Sequence, residues 1–223
     1  MSEGDRSGAV REQSLYSPTS FRESDLVVLQ TFMRRHAFAT LISYDGALHI
    51  SHLPLVLLAD RGNKGTLLGH MARANNQWRD FDGQRPVTCI FHGPHAYVSP
   101  SWYRDQPAVP TWNYAVVHAT GRPRAIETPE ALDSLVCRTI AEFEPALLDP
   151  SAASHPPAAY RASLLQQIVG FEIAIEELNG KFKLGQNRSP QDRQGITNAL
   201  AERGEEQATA LLDLMSERGL AEG

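Results

Sequence analysis

Short stretches in which apolar and polar residues alternate occupy most of residues 38–126 and predict a mainly β protein. A helix is expected before them, over 25–35, because Leu26, Leu29, Phe32 and Met33 share a helical face there and Ser24 can serve as the N-cap. Strands are expected at 38–43, 47–58, 66–71, 87–91, 96–99, 112–121, 123–126, 171–177 and 181–184. Turns are expected at Asp45-Gly46, Gly93-Pro94 and Asn179-Gly180.

Helical periodicity returns in the second half of the chain. Thr128 and Pro129 open a helix that is expected to reach Phe143, and a Pro-, Ala- and Ser-rich loop follows over 145–157. Further helices are expected at 158–168, 191–202 and 205–218. Six or more antiparallel strands with early and late helices favour a small closed barrel, since closure removes exposed strand edges.

Composition narrows the class of protein. With 223 residues and 42% apolar residues, the chain is long enough for one domain with a substantial core. The net charge of −5 argues against a dedicated DNA-binding surface, although a local basic patch stays open. The first ten residues are too polar for a signal peptide and no run is long enough to span a membrane, so we expect a cytoplasmic protein. Cys89 and Cys137 lie in apolar patterns and are expected to be buried free thiols.

The run Gly69–Trp78 carries more polar chemistry than a core segment and more aromatic surface than an ordinary loop. This mixture suits a wall of a site for a flat cofactor. His70 is an iron ligand or hydrogen-bond donor, or else a strand-end histidine bonded to backbone. Arg73 pairs with an anionic group of the cofactor or lies on a helix surface. Trp78 stacks on a ring or anchors the core.

Three more clusters have the same double interpretation. The aromatic-rich segment 92–103 lines a pocket or interface, or forms the rim of the barrel core. In 110–114, Thr111 and Asn113 flank Trp112 and can hold an anion and a ring edge, or else cap a turn. In 181–188, Lys181 and Lys183 have the same strand parity, which favours an anion site or a solvated basic face. Zinc-type histidine pairs, a nucleophile elbow and a phosphate-binding glycine loop are not found in the sequence.

Together these segments resemble the PaiB family of FMN-binding negative transcriptional regulators. The matching stretches are 16–18, 21–23, 38–43, 51–55, 69–78, 91–103, 110–121, 168–173 and 180–195. The resemblance implies an α+β fold, mainly β with flanking helices: a split β-barrel related to flavin reductases and pyridoxamine phosphate oxidases. It also implies a homodimer with FMN in a groove at the dimer interface, and repression of protease and sporulation genes. We therefore expect a disordered leader (1–17), a split-barrel cofactor-binding domain (18–188) and a C-terminal helical extension (189–223).

The chain is also similar to piperazate synthases, which use haem b to form an N–N bond. That resemblance makes His70 the iron ligand and Lys183 a functional lysine, which could act as a general acid or base if it is desolvated. The segment after Lys183 departs from the synthases, and Arg188 matches the regulators. The candidate cofactor-binding residues are His70, Arg73, Asn75, Trp78, Thr111, Trp112, Asn113, Lys183, Gln186 and Arg188. FMN and haem b both stay open, as do a sensor-regulator, an enzyme acting on a small amine or hydroxylamine, a structural dimer, and contact with DNA.

Overall fold

The computed structural model describes residues 15–148 and 158–221, so most of the expected leader and the end of the 145–157 loop lie outside the described residues. The strands are Arg22–Glu23 (β1), Phe38–Tyr44 (β2), Leu48–Pro54 (β3), Val56–Leu58 (β4), Thr66–Ala72 (β5), Val87–Val98 (β6), Thr111–Ile126 (β7) and Ile168–Lys183 (β8). The α-helices are Leu26–Arg35 (α1), Pro129–Phe143 (α2), Ala158–Leu165 (α3), Pro190–Arg203 (α4) and Glu206–Glu217 (α5). A mainly β fold with flanking helices is therefore confirmed.

The strands form one antiparallel sheet in the order β3-β2-β6-β7-β8-β5-β4, with β1 added beside β8. β3 and β4 are the two ends of this order, and only Leu55 separates them along the chain. The sheet is not closed, so the closed barrel is wrong and the split barrel is confirmed. Pro54 has no N–H to donate to a further strand, and the N–H of Leu55 donates to Ala37 instead, which ends β3 at the opening.

Two predicted turns are wrong because β6 and β8 run straight through them. Gly93-Pro94 forms a register shift inside β6, between His92 and His95. Asn179-Gly180 lies within β8, where Gly180 pairs with Val117. Gly180 serves packing there, because a Cβ at this position would lie 2.4 Å from a methyl carbon of Leu29. Similarly, β7 continues through the expected break between 121 and 123. The Asp45-Gly46 turn is confirmed as the β2-β3 connection.

The helices match the predicted positions closely. α1 is capped by Asp25 and not by Ser24: its carboxylate accepts hydrogen bonds from the N–H groups of Val27 and Val28, at 2.9 and 3.0 Å. α5 is tied back to the start of the chain, because Arg218 pairs with the buried carboxylate of Glu23. In the described part of the chain, no helix has the length and apolar character needed to cross a bilayer.

The two faces of the sheet have different environments. The inner face holds the main core, which includes Phe91, Phe171, Leu200 and Met215, so α4 and α5 of the expected extension share it. On the outer face, α2 covers part of β4 and β5 through Leu135. On the outer face of β2, β3 and β6, which we call the open face, the apolar side chains of Phe38, Tyr44, Leu48 and Ile50 are exposed and no helix of the described residues covers them. Cys89 is buried as expected, but Cys137 is only half-buried because it lies on α2.

Candidate functional site

The polar residues of the run Gly69–Trp78 mostly satisfy one another. Gln77 is buried at 2% exposure, and its carboxamide accepts a hydrogen bond from Ser51 Oγ at 2.5 Å and donates to Ser43 Oγ at 3.1 Å. It also donates to the carbonyl oxygen of His49 at 3.3 Å. Asn75 caps the 3₁₀ turn Asn76–Asp80 with its oxygen and donates to Ser51 with its nitrogen. This network fixes edge strand β3 to the segment after β5.

Arg73 and Trp78 are also held within the protein. The guanidinium of Arg73 donates to the carbonyl oxygens of Gln166 and Ile168, at 3.2 and 3.0 Å, and pairs with Glu127. The indole N–H of Trp78 donates to the carbonyl oxygen of Arg73 at 3.0 Å, and its ring packs against the core. Both side chains hold the chain after β5 against the start of β8. Binding of an anion by Arg73 stays a prediction that would require these bonds to be exchanged.

His70 differs from the other polar members of the run, because its side chain has no hydrogen-bond partner within the described residues. It lies on β5 opposite Gly170 and lines a cleft of about 430 Å³ at the opening between β3 and β5. Ser51, His52, Asn75 and Ile168 also line this cleft. Burial lowers the pKa of His70, so the imidazole is neutral at pH 7. Within the described residues neither ring nitrogen makes a hydrogen bond, which leaves both free for a ligand or a metal ion.

A second cluster lies at the other end of β8. The ammonium group of Lys183 donates to the hydroxyl of Thr111, across the β7-β8 pair. Burial lowers the pKa of Lys183, and the nearby Lys181 and Arg188 lower it further against an opposing effect of Tyr114. Trp112 is 52% exposed and stands beside the rings of His95 and Tyr97, with centroids 6.0 and 6.1 Å away. We call Lys181, Lys183, Arg188, Thr111 and Trp112 the cationic cluster.

Three more predicted residues, Gln186, Arg188 and Asn113, lie in or next to this cluster. Gln186 closes the turn after β8 by bonding to the backbone of Leu184 and Phe182. The guanidinium of Arg188 lies over the ring of Tyr103, 4.2 Å from its centroid. Asn113 is 2% exposed, and its side-chain nitrogen has no acceptor among the described residues. Strand parity turns Asn113 toward the core with Ala115 and Val117, on the opposite side of β7 from Trp112.

His70 and the cationic cluster do not meet within one copy of the protein. Gly170, the partner of His70, and Lys183 stand 13 residues apart on β8. At ~3.3 Å per residue, this separation is roughly 40 Å along the strand. None of the residues that line the His70 cleft belongs to the cationic cluster. A single groove shared by all the predicted residues therefore does not exist in one copy.

Sequence reasoning missed several residues that shape these sites. Ser51 and His52 line the His70 cleft, and Thr40 holds the ring of His52 through a contact of 3.1 Å with Nδ1. Gln77 belongs to the run but was not among the candidate residues. Its position between the N-cap Asn75 and Trp78 could have indicated a buried, hydrogen-bonded side chain. Tyr103 supports Arg188 from the aromatic segment 92–103.

Comparison with known proteins agrees with the fold and the motifs. A family model described as "Putative FMN-binding domain" matches residues 15–177. The "Protease synthase and sporulation protein PAI 2" of Bacillus subtilis is 30% identical over 205 residues, which cover 92% of this chain and 98% of that protein. An uncharacterized protein of Emericella nidulans is 29% identical over 233 residues, covering 89% of this chain and 90% of that protein.

Solved structures share the fold at low sequence identity. The flavocytochrome Anf3 from Azotobacter vinelandii has a TM-score of 0.55 and 10% identity, covering 73% of this chain and 69% of that chain. An FAD and haem binding protein from Mycobacterium smegmatis has a TM-score of 0.52 and 16% identity, covering 73% of each chain. Since the family model spans most of the chain and the Bacillus relative matches nearly all of it, this chain belongs to the PaiB family of FMN-binding-domain proteins.

Proposed function

We propose that two copies of this protein bind a planar, anion-bearing cofactor between them, and that cofactor occupancy controls a PaiB-like regulatory role. The observation that carries the proposal is the separation of His70 from the cationic cluster at opposite ends of β8. Each half offers only part of a cofactor site. A two-fold arrangement would bring the His70 cleft of one copy to the cationic cluster of the other, and would make two identical sites.

The cationic cluster suits the phosphate of FMN. Lys183 and Arg188 are half-buried and form no ion pair with a carboxylate within the described residues, so their charge is available to a ligand. Lys181 is buried and donates to the carbonyl oxygen of Tyr16 at 3.0 Å, so it adds positive charge from below the surface. The exposed face of Trp112 offers a stacking surface next to these cations. The family of FMN-binding domains supports FMN as the first candidate. FMN would supply redox chemistry, while the protein would bind its phosphate and cover its ring.

Haem b is the second candidate, and His70 favours it. A neutral imidazole with both nitrogens free is the form that ligates iron, and the two propionates of haem would suit the same cations. Two structural neighbours are described as a flavocytochrome and as an FAD and haem binding protein, which supports both cofactors for this fold. With a lowered pKa, Lys183 could also hold or donate a proton if the protein is an enzyme acting on a small amine or hydroxylamine.

The open face is the surface on which we infer that two copies assemble. Phe38, Tyr44, Leu48 and Ile50 are 66%, 65%, 62% and 52% exposed and lie on the same side of β2 and β3, with Phe38 at one end of β2 and the other three at the opposite end. Four such side chains present roughly 400 Å² of apolar surface, which is within the range of the largest patch on a typical monomer, and such patches often serve binding. The face adjoins both parts of the site, because His52 on β3 lines the His70 cleft and Trp112, at the start of β7, pairs with Tyr97 on β6.

The net charge of −5 makes a small ligand or another protein a better partner for regulation than DNA. This part of the proposal is tested by gel retardation of genomic fragments at two salt concentrations. The expected result is no retardation at either salt concentration. Retardation at low salt would instead support direct repression through a local basic patch.

The cofactor is identified by the absorbance spectrum of protein from haem-supplemented cells, and after titration with FMN. His70→Ala should abolish a Soret band, and Lys183→Ala should weaken binding of either cofactor at least about tenfold. His49→Ala is the matched control, because His49 pairs with Asp45 at 3.0 Å and lies outside both clusters. A protein that takes up neither FMN nor haem overturns the proposal.

Mixing the two variants tests the composite site directly. Copies carrying His70→Ala and copies carrying Lys183→Ala should each bind poorly alone. In a mixed dimer, one of the two sites receives both intact residues, so co-expression should restore up to half of the wild-type occupancy in the isolated mixed dimers. If both residues acted within one copy, each site would still carry one substitution and mixing would restore nothing.

A further inference from the structure

Histidines from β3, β6 and β7 lie on the outer side of the sheet, at the open face and on the strand beside it. Across the β3-β2-β6-β7 pairing, His52 lies opposite Thr40, Thr40 opposite Ile90, and Ile90 opposite His118. His92 follows Ile90 by two residues and therefore points to the same side of the sheet. We call His52, His92 and His118 the histidine cluster. It stands on the same face as the exposed Phe38.

The charges around this cluster do not favour imidazolium. The titratable and charged groups that lie nearest on the same side of the sheet, or beside His52 and His92 at the end of α1, are His95 on β6, Tyr114 on β7, Glu177, Lys181 and Lys183 on β8, Arg22 on β1, and Arg35 and His36. Glu177 is the one carboxylate in this set, and its oxygen already accepts a hydrogen bond from Asn179 at 2.9 Å. The other members are histidine, tyrosine, lysine and arginine side chains, which offer no carboxylate to an imidazolium.

The ionisation of His92 and His118 follows from these surroundings. Burial lowers the pKa of His92, and the neighbouring His95 and His52 lower it further. Burial also lowers the pKa of His118, to which His92 adds. Both imidazoles are therefore neutral at pH 7 and lie beside the apolar side chains of the open face.

We propose that His92 and His118 make the assembly of two copies depend on pH, so that the dimer forms when both are neutral and separates when they are protonated. This inference rests on the proposed homodimer through the open face. Covering an imidazolium without a carboxylate partner disfavours assembly. Because the cofactor site is shared between copies, acidification would release the cofactor together with the partner.

The sign and size of the effect follow from linkage. If assembly lowers the pKa of one histidine by one unit, the dimer weakens tenfold once the pH is below both values. Two such histidines in each of two copies make four, so the Kd rises by up to about 10⁴-fold once the pH is below all of their pKa values. The dimer is thus present at the higher pH and is lost as the pH falls.

Sedimentation velocity of the full chain from pH 8 to pH 5 tests this inference, with circular dichroism at each pH to establish that the protein is folded. The double variant His92→Gln/His118→Gln keeps neutral side chains of similar size and should remain dimeric throughout. His49→Gln is the control, since strand parity places His49 on the opposite side of β3 from His52. His52 is left unchanged because it also lines the His70 cleft.

The outcomes separate this inference from the proposed homodimer. A folded wild-type protein that changes from dimer to monomer on acidification, with a double variant that does not, supports the inference. A dimer at every pH, or a double variant that dissociates as the wild type does, overturns the inference and leaves the homodimer in place. A monomer at every pH overturns the homodimer and the inference together.

Discussion

Replacing Gln77 by Leu should destabilise the protein, because one buried carboxamide holds three segments of chain. Leu has a similar volume and makes no hydrogen bonds. The substitution removes the bonds to Ser51 and Ser43 and to the carbonyl oxygen of His49, at 2.5, 3.1 and 3.3 Å. A net contribution of about 1 kcal/mol per bond predicts a loss of about 2–3 kcal/mol in the free energy of unfolding.

Urea unfolding followed by circular dichroism measures this loss. Gln207→Leu is a matched control on the exposed side of α5 and should change the free energy by no more than about 0.5 kcal/mol. Gln77→Glu should be at least as damaging as Gln77→Leu at pH 7, because a carboxylate would face the carbonyl oxygen of His49. A loss below about 0.5 kcal/mol for Gln77→Leu would show that the network does not hold β3, and would refute the reasoning.

Three further substitutions and one titration test other parts of the structure. Gly180→Ala should cost about 1–3 kcal/mol by urea unfolding, because its Cβ would lie 2.4 Å from Leu29; wild-type stability would contradict this packing. Arg73→Met should lower the free energy of unfolding by about 1–2 kcal/mol, because it removes hydrogen bonds to two backbone carbonyl oxygens. Cofactor affinity should stay unchanged. Weaker cofactor binding with unchanged stability would show that Arg73 binds the cofactor and does not hold the fold. Trp112→Ala should weaken cofactor binding at least about fivefold and leave the unfolding midpoint within the error, because the ring is 52% exposed; a large loss of stability would make it a core residue. Burial lowers the pKa of His36 in the folded chain below the ordinary value of 6.5, and Arg35 lowers it further, so the unfolded chain takes up the proton first. The free energy of unfolding should therefore fall as the pH decreases below about 6.5, and His36→Gln should reduce this slope; an unchanged slope would contradict the assignment.

Local pattern predicted the helices and most strand positions, but not which glycines mark turns. Asp45-Gly46 forms a turn because β2 and β3 pair with each other as far as Tyr44 and Leu48, so the chain must reverse within residues 45–47. Asn179-Gly180 has the same local signal, yet β8 continues because β7 pairs with it on both sides of this position and Leu29 fills the space beside Gly180. Local pattern also could not predict whether the barrel closes, because closure depends on whether β3 pairs with the strand at the other end of the sheet.

The sequence predicted candidate residues but not their arrangement. His70 lines a cleft and Trp112 is exposed, while Thr111, Lys183 and Arg188 are half-buried. Arg73, Trp78 and Gln186 have the same polar or aromatic character, yet they bond to backbone groups. Sequence alone does not show whether a polar side chain will find an intramolecular partner, because that depends on segments far away in the chain.

The position of β8 in the sheet has a consequence for biosynthesis. β8 lies between β7 and β5, so the strands made before it form two separate pieces, β3-β2-β6-β7 and β5-β4. These pieces gain a common hydrogen-bonded ladder only when residues 170–174, which pair with both β5 and β7, have left the ribosome. A nascent chain that stalls before this point would expose strand edges on both pieces, and would be a substrate for chaperones or proteases.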